Sequence, residues 1–417
     1  FPSISVVDQN TAWIAGGSNV PVVYKTTNGG TTWATVPTTG ITLDLFCVWG
    51  IDANTAYVGD GGAAGGAGGN AKFYKTTDGG TTWTTVASTG GTAGFFNGIV
   101  FSRTSPTVGI AQSDPPTGVG NPYYISITTN GGQNWNQLSP NPPGVTGQAS
   151  SQNSIIVIDN QFFGFGLGST APARAYLTSN GGTSWFVASL AGITGGFVSG
   201  LAFKENKLNG IAATSTSLPS IARTTDGGVT WSSVNVGASF TGYCTCKWIN
   251  GTNTCYISAN AGASGVVKKS TDGGLTWTTM TTSGLTGITS MEFVRSGTTV
   301  YGYAVTANGA VLKVTDVVTE VNTVNSIIPS EYKLEQNYPN PFNPATTINF
   351  SIPKSSNVSL IIYNSLGKEV ATLVNEFKAA GNYSADFTAG NELTSGIYFY
   401  SLTADGFTAT KKLMLVK

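Results

Sequence analysis

At 417 residues the chain is long enough for two or three domains with cores of their own. Its 20 basic and 20 acidic residues cancel and make up only 10% of the chain, so neither nucleic acid nor anionic lipid is expected as a partner. Histidine is absent, which excludes His-dependent nucleophiles, His general bases and His metal ligands. We expect neither a metal nor a cofactor.

The composition favours many short strands over helices. Gly (55 residues), Thr, Ser and Asn dominate, and the 40% of hydrophobic residues is spread in short bursts. No apolar run approaches the ~20 residues that a membrane helix needs, so no membrane span is expected. The chain starts at Phe1 rather than Met, and we expect that a signal peptide has been removed from it.

A unit of four predicted strands recurs along the chain. An apolar strand (ISVVD, LFCVWG, GIVFS) is followed by a strand of Gly, Ala and aromatic residues. A third strand then runs into a tight turn such as TTDGGTTW, and a short strand closes the unit. The turn tryptophans are spaced by 50, 52, 50, 46 and 46 residues. Four antiparallel strands repeated at this period predict a β-propeller blade.

A seventh unit begins near Ile288 and keeps its first three strands, but its turn has decayed to KVTDVVTEV, Lys313 to Val321. We therefore predict an all-β fold with a seven-bladed β-propeller over residues 1–325. Terminal repeats are often atypical, and we expect pairing of the two chain ends to close the ring.

The repeated turn has a mechanical explanation. Gly-Gly permits positive φ, an Asp or Asn side chain folds back onto the backbone, and a Thr or Ser two residues earlier adds a hydroxyl bond. The tryptophan then packs between strands. The residues predicted to have this structural role are Asn28, Trp33, Asp78, Trp83, Asn130, Trp135, Asn180, Trp185, Asp226, Trp231, Asp272 and Trp277.

These turns resemble the Asp-box of BNR-like propellers, S/T-x-D-x-G-x-[T/S]-W, as in STDGGLTW at Ser270–Trp277. The resemblance implies the propeller fold and a structural turn, and it does not imply one activity. Asp-box propellers include sialidases, xyloglucan-cleaving glycosidases, sortilin-like receptors and photosystem-assembly-factor-like proteins. Sialidase chemistry is not expected, because the N-terminal arginine motif of that family is missing here.

Three of the four cysteines surround one predicted hairpin. Cys244 and Cys246 precede the turn Asn250-Gly251-Thr252, and Cys255 follows it. One cross-strand disulfide, from Cys255 to Cys246 or Cys244, is therefore predicted for an exported protein. Cys47 lies in an apolar strand and is expected to be a core thiol.

The amino-acid composition changes past Asn325, where lysine and glutamate become more frequent. We predict a Pro/Asn-rich linker over 326–345, containing YPNPFNP, and a small immunoglobulin-like β-sandwich over 346–417. The landmarks NYPNPFNPATTI, VSLIIYNSLGKEV, SGIYFYSL and KKLMLVK resemble the C-terminal (Por-type) sorting domains of type IX secretion substrates. The resemblance implies the type IX machinery as a partner, export from a Bacteroidetes-type or related bacterium, and a place outside the cell or on its outer membrane.

The best candidates for catalysis are three aspartates on the rim opposite the repeated turns. Asp44 precedes the first strand of the second blade, whereas Asp60 and Asp114 end the second strands of neighbouring blades. Two such carboxylates could serve glycoside hydrolysis if they stood at the right separation. The alternative is that they cap turns. Phe95, Phe96, Tyr123 and Tyr124 could stack on sugars or fill the blade cores.

The leading hypothesis is a secreted, non-catalytic surface protein whose propeller is an interaction or assembly module, such as the repeating subunit of an extracellular filament or layer. A neutral, charge-poor surface suits self-association or contact with a surface polysaccharide. The alternative is a secreted glycoside hydrolase or carbohydrate-binding propeller that uses Asp44, Asp60 and Asp114. A receptor for peptides is a third hypothesis.

Overall fold

The structure is a computed structural model. It describes residues 2–17, 20–63, 69–117, 120–144, 149–168, 173–193, 196–215, 220–237, 244–261, 264–280, 287–318, 322–323, 329, 331–354, 356–378, 381–390 and 392–417. This part of the chain is built from β-strands and contains no α-helix. The chain divides into two compact units, Phe1–Val318 and Thr319–Lys417. The predicted boundary at residue 325 lies outside the described residues.

The described strands of the first unit form seven antiparallel sheets, six of four strands and one of three. The first four sheets are β1 to β4 (Ser3–Val6, Ala12–Gly17, Pro21–Thr26, Ala34–Val36), β5 to β8 (Leu45–Gly50, Ala56–Asp60, Lys72–Thr76, Thr84–Ser88), β9 to β12 (Phe96–Phe101, Gly109–Ser113, Tyr124–Thr128, Asn136–Gln137) and β13 to β16 (Ser150–Val157, Phe163–Leu167, Arg174–Thr178, Phe186–Ser189). The other three are β17 to β20 (Val198–Phe203, Gly210–Thr214, Ile221–Thr224, Ser232–Val234), β21 to β24 (Thr245–Trp248, Cys255–Ala261, Ser264–Ser270, Thr278–Met280) and β25 to β27 (Ile288–Ser296, Thr299–Thr306, Val311–Val317).

The seven sheets close into a ring. The first strand of each sheet contacts the first strand of the next, and β25 contacts β1. Among the described residues, the two ends of this unit lie in different sheets, β1 in the first and β25 to β27 in the seventh. They meet by packing: the Ile4 N–H donates to Ser290 Oγ at 3.4 Å, and the Thr289 hydroxyl donates to the Pro2 carbonyl at 2.9 Å. The expected pairing of the ends is thus replaced by contact between two sheets.

The second unit consists of two four-stranded sheets that share one core. Inward and outward residues alternate along its strands, as in a sandwich with one face in water. The first sheet is β28 (Asn322–Thr323), β33 (Gly381–Thr388), β30 (Ala345–Ile352) and β29 (Lys333–Leu334), and the second is β32 (Glu369–Lys378), β31 (Ser356–Asn364), β34 (Gly396–Ala404) and β35 (Phe407–Leu415).

The segment predicted as a linker, where the structure describes it, is part of this second unit. Leu334 and Phe342 are 5% and 2% exposed and belong to the sandwich core. Phe342 lies beside β35: its N–H donates to the Met414 carbonyl at 2.9 Å, and its carbonyl accepts from the Val416 N–H at 3.0 Å. The prolines of YPNPFNP suggested an extended spacer, but the apolar Phe342 between them binds the segment to the core.

The same segment covers the outer edge of β35. Asn340 Oδ1 accepts a hydrogen bond from the Met414 N–H at 2.9 Å, and Gln336 Nε2 donates to the Lys412 carbonyl at 2.7 Å. Together with Phe342, these groups satisfy backbone positions that an edge strand otherwise exposes.

Candidate functional site

The two ends of the ring carry different connections. Antiparallel neighbours alternate in direction, so the turns after first strands and after third strands lie at one end, here called the turn face. The connections after second and fourth strands lie at the other end, here called the loop face. Asp44, Asp60 and Asp114 stand beside loop-face connections, whereas the six repeated turns stand on the turn face.

The six repeated turns share one hydrogen-bond network. A Thr or Ser hydroxyl donates to the Asp or Asn Oδ1 at 2.7–3.0 Å, and it accepts a bond from the N–H of the second glycine at 2.8–3.0 Å. The same Oδ1 accepts the N–H four residues on at 2.9–3.0 Å. Both glycines have φ of 69–94°, which a side chain would strain. The Asp and Asn oxygens are thus used inside the turn, at Asn28, Asp78, Asn130, Asn180, Asp226 and Asp272.

The exposed carboxylate of Asp78 illustrates what this network does to acidity. Hydrogen bonds from the side chain and backbone of Thr82, and from Thr76, lower the pKa of Asp78 to about 2. A general acid or base works best with a pKa near the working pH. Asp78 is therefore a permanently ionised turn residue at neutral pH.

The tryptophans that follow the turns are wedged against aromatic side chains. Trp135 meets Tyr57 and Phe73 of the preceding sheet edge-on, at 5.7 and 5.1 Å between ring centroids. Trp33 meets Tyr303 of the seventh sheet at 5.7 Å and so helps to close the ring. The other members pack in the cores between or within neighbouring sheets, at Trp83, Trp185, Trp231 and Trp277.

Asp60 is fully buried, and both of its oxygens are engaged. Oδ1 accepts the Gly62 N–H at 3.0 Å and the Lys72 N–H at 2.8 Å, and Oδ2 accepts the Tyr74 hydroxyl at 3.0 Å. Burial raises the pKa of Asp60, while these bonds oppose the rise. The carboxylate ties both ends of the β6–β7 connection to the blade and offers no oxygen to solvent.

Substitutions at Asp60 are expected to separate the contribution of its hydrogen-bond acceptors to stability from the contribution of its charge. Asp60→Ala leaves three donors without their acceptor and should lower the free energy of unfolding by about 3 kcal/mol. Asp60→Asn keeps an acceptor oxygen and should cost much less. Because the folded pKa is raised, wild-type stability should fall as pH rises from the unfolded value of Asp through the folded one. Denaturant unfolding at several pH values should show that loss in wild type and not in Asp60→Asn; an equal pH profile for the two would contradict this role.

Asp114 is held in a similar way on the next sheet. Its Oδ1 accepts both the N–H and the hydroxyl of Ser150, at 2.7 and 2.5 Å, and burial raises its pKa. Ser150 in turn accepts from Asn97 and Gln112 at 2.8 and 2.6 Å. Asp114 thus joins the third sheet to the fourth.

Asp44, the last of the three candidates, is half-buried just before β5. The bonds described above engage Asp60 and Asp114 within the fold, so they do not present the open carboxylate pair that glycoside hydrolysis needs.

The aromatic candidates on the loop face divide into two groups. Phe96, Tyr123 and Tyr124 are buried core residues. Phe95 is only partly buried and lies 4.5 Å from Phe46, centroid to centroid, at the start of neighbouring first strands. This pair is the part of the predicted set that could present an aromatic surface.

The predicted disulfide is absent: Cys244, Cys246 and Cys255 are buried and form no disulfide. The register explains why the prediction was wrong. Cys246 lies opposite Ile257 and Cys255 lies opposite Trp248, so these cysteines are diagonal neighbours. Diagonal Cα atoms are about 7–8 Å apart, beyond the ~4.4–6.8 Å that a disulfide spans. Burial raises the pKa of Cys244 and of Cys255 to about 12, and Cys47 is likewise a buried thiol of raised pKa.

A charged cluster lies on the axis of the ring, towards the turn face. Glu292 Oε1 pairs with Arg103 at 3.4 Å, and its Oε2 pairs with Lys247 at 2.6 Å. Arg103 also donates to the Val6 carbonyl at 2.7 Å and lies 4.6 Å from the centre of the Trp49 ring. These residues come from five different sheets, so the cluster links blades that are distant in sequence.

Sequence reasoning missed this cluster, although a signal was present. The first strands of the first five sheets contain no charged residue, whereas CKWI and SMEFV each contain one, Lys247 and Glu292. A charge in a buried strand needs a partner. The partner could not be named from the sequence, because Arg103 and Glu292 are 189 positions apart.

Two cavities lie along the axis beside this cluster, with volumes of about 20 and 90 Å³. Pockets for drug-sized ligands typically measure ~300–1,000 Å³. Within the described residues, no three His, Cys, Asp or Glu side chains are grouped as a metal site would require. Nor does this part of the chain contain a helix that is long and apolar enough to cross a membrane.

Comparison with known proteins identifies the C-terminal part. Residues 336–417 match the family described as the secretion system C-terminal sorting domain. No curated protein matches the chain.

Solved structures similar to this chain are propeller proteins. YCF48 from Cyanidioschyzon merolae is 18% identical with a TM-score of 0.49, over 75% of this chain and 93% of that one. An ancestral GH74 enzyme is 13% identical with a TM-score of 0.50, over 99% of this chain and 61% of that one. The GH74 xyloglucanase from Xanthomonas campestris is 13% identical with a TM-score of 0.27, over 81% and 63%. This chain therefore spans less than two thirds of either GH74 enzyme.

The sheet order, the likeness of fold to the ancestral GH74 enzyme and the match of residues 336–417 define the class of protein. It is an all-β protein with a β-propeller and a C-terminal secretion sorting domain. The sorting domain indicates secretion through the type IX system, to the cell surface or the extracellular space. At 13% identity, the likeness to the GH74 enzyme concerns the fold alone.

Proposed function

We propose that this chain is a non-catalytic surface protein, exported by type IX secretion, whose propeller is an interaction and assembly module. The observation that carries the proposal is that the groups best suited to chemistry are engaged inside the fold. Asp60 binds donors of its own connection, Asp114 binds Ser150 of the next sheet, and Glu292 pairs with Arg103 and Lys247 on the axis.

The small axial cavities support contact over a surface rather than capture of a small molecule. A volume of about 90 Å³ holds a few waters at most, well below a typical ligand pocket. We expect partner contact on the outer faces and edges of the blades. On this basis the propeller is a docking platform.

The charge balance favours other copies of the same chain as the partner. Twenty basic residues face twenty acidic ones, and charged residues are only 10% of the total. Proteins with net charge near zero lack the mutual repulsion that keeps molecules apart. A repeating subunit of an extracellular filament or layer, delivered to the surface by its sorting domain, fits this character.

A surface polysaccharide is the second candidate partner. The Phe46–Phe95 pair on the loop face supports it, because aromatic rings provide flat apolar area for a sugar face. This function requires binding without hydrolysis. It also leaves the blade edges available for self-association.

The test combines light scattering, polysaccharide binding and a reducing-end assay on the purified full chain. A double variant, Asp60→Asn with Asp114→Asn, is the matched control. We expect self-association, and no sugar release above that of the double variant. Hydrolysis that the double variant loses would overturn the non-catalytic assignment. A chain that neither self-associates nor binds polysaccharide would overturn the interaction role.

A further inference from the structure

Among the residues that the structure describes, the seventh sheet has three strands where the other six have four. In those six sheets the third strand is covered by a short fourth strand of two to five residues. In the seventh, within the residues that the structure describes, β27 pairs with β26 on one side and with no strand on the other. β27 is therefore an edge strand where its counterparts are internal.

The backbone of β27 presents a regular row of outward groups. Its pairing with β26 runs over seven residues without a bulge. Flanking bonds, Val318 N–H to the Thr298 carbonyl and Thr306 N–H to the Ala310 carbonyl, show that even-numbered residues face β26. The N–H and C=O groups of Val311, Lys313 and Thr315 consequently point outward, and these three residues are exposed.

Two of the usual guards of an edge strand are missing from β27. Proteins protect edges with free charges, prolines and bulges, and VLKVTDV has neither a proline nor a bulge. The Lys313 ammonium is directed into the fold, where it donates to the Gly29 carbonyl at 2.7 Å. Charged side chains engage the C-terminal end of the strand, because Asp316 Oδ1 accepts the Val317 N–H at 2.7 Å and Lys269 donates to the Val317 carbonyl at 3.3 Å. The outward groups of Val311, Lys313 and Thr315 are therefore the part of the edge on which the inference rests.

Other long edges of the chain are protected, which makes the contrast informative. Segment 336–342 covers β35, as described above. β32 carries two irregularities in its pairing with β31, and Glu369 and Lys378 lie at its ends. Such irregularities twist an edge away from a flat partner. Only β27 combines length, regularity and an apolar exposed face among these three strands, with Val311 and Val317 at 37% and 63% exposure.

We propose that β27 is the site at which a second copy of this chain pairs, edge to edge and antiparallel, to form one continuous sheet across two propellers. This inference rests on the proposed assembly function. The occupant is a second copy because the strand is complementary to itself. A two-fold axis at Val314 places Val311 opposite Val317 and Lys313 opposite Thr315, so no like charges face each other. An axis at Lys313 would oppose two lysines.

The test is the solution mass of the full chain over a dilution series, by size-exclusion chromatography with light scattering. Thr315→Pro removes one outward N–H, and an edge strand tolerates proline at such a position. Thr315→Val keeps that N–H and is the control. We expect wild type and Thr315→Val to form dimers or larger species. Thr315→Pro should weaken association by about tenfold or more.

A second variant keeps the backbone intact. Val311→Lys with Val317→Lys adds two guards on the exposed face and should also abolish association, with an unfolding curve close to that of wild type. Equal association of wild type and both variants would overturn the edge contact while leaving self-assembly in place. A wild-type chain that stays monomeric at every concentration would also overturn the proposed edge contact. Pairing of β27 with a strand of a different protein, without self-association, would exclude a second copy as the partner.

Discussion

Replacing Phe342 with alanine is expected to destabilise the C-terminal sandwich by about 4 kcal/mol, a large share of the stability of a small domain. Phe342 is 2% exposed, and its ring centroid lies 5.8 Å from that of Phe387. Its backbone also bonds Met414 and Val416 beside β35. The substitution removes an aromatic side chain from the core and loosens the cover of this edge. Calorimetry and protease sensitivity of the C-terminal unit would measure the effect.

The matched control for Phe342 is Phe377, which belongs to the same unit and is 57% exposed. Phe377→Ala should change stability by less than about 1 kcal/mol. We expect the secretion machinery to bind the sorting domain in its folded state. Phe342→Ala should therefore also reduce the amount of protein at the cell surface. Equal behaviour of the two variants would show that YPNPFNP is a spacer after all.

Glu292→Ala is expected to destabilise the propeller by about 2–3 kcal/mol, because it leaves Arg103 and Lys247 without their shared carboxylate. The Glu292 side chain is 9% exposed, whereas those of Arg103 and Lys247 are 30% and 27% exposed, so the cost lies below that of a fully buried pair. Denaturant unfolding of the full chain, followed by tryptophan fluorescence, would measure it.

An ion pair with a more exposed carboxylate on the same unit supplies the control. Lys207 pairs with Asp159, and the two side chains are 39% and 26% exposed. Lys207→Ala should cost about 0.5 kcal/mol or less. Glu292→Gln should lie between the two, since it keeps the shape and loses the charge. If Glu292→Ala and Lys207→Ala proved equally mild, the axial cluster would not link the blades.

The repeat made most of the propeller predictable. Each unit of TTDGG turn and tryptophan follows three strands, so sheet order follows chain order, and the three strands predicted for the seventh unit are present. The six strands from TTINFSI to ATKKLMLVK likewise form the sandwich. These features are local or periodic, and the short-range pattern of apolar residues determines them.

Features that depend on distant parts of the chain could not be predicted. Arg103 and Glu292 meet only because the ring closes, and the cysteine prediction failed on a two-residue difference in register. Asp60 was correctly placed at the end of a strand, but its burial depends on how the β6–β7 connection folds back. YPNPFNP has the composition of a linker. The position of Phe342 in the sandwich core shows that the segment is part of the folded domain.

The long strand edges of this chain differ in how they are covered. Short outer strands cover six blades, and the segment around Phe342 covers β35, while no strand of the described residues covers β27. We expect strand pairing between copies to use this edge.

Electron microscopy of the purified full chain distinguishes a self-assembling module from an isolated propeller. We expect multi-copy particles in which neighbouring propellers meet at the seventh blade, through paired β27 strands. Single propellers at every concentration, together with hydrolysis of a polysaccharide that depends on Asp60 and Asp114, would contradict it.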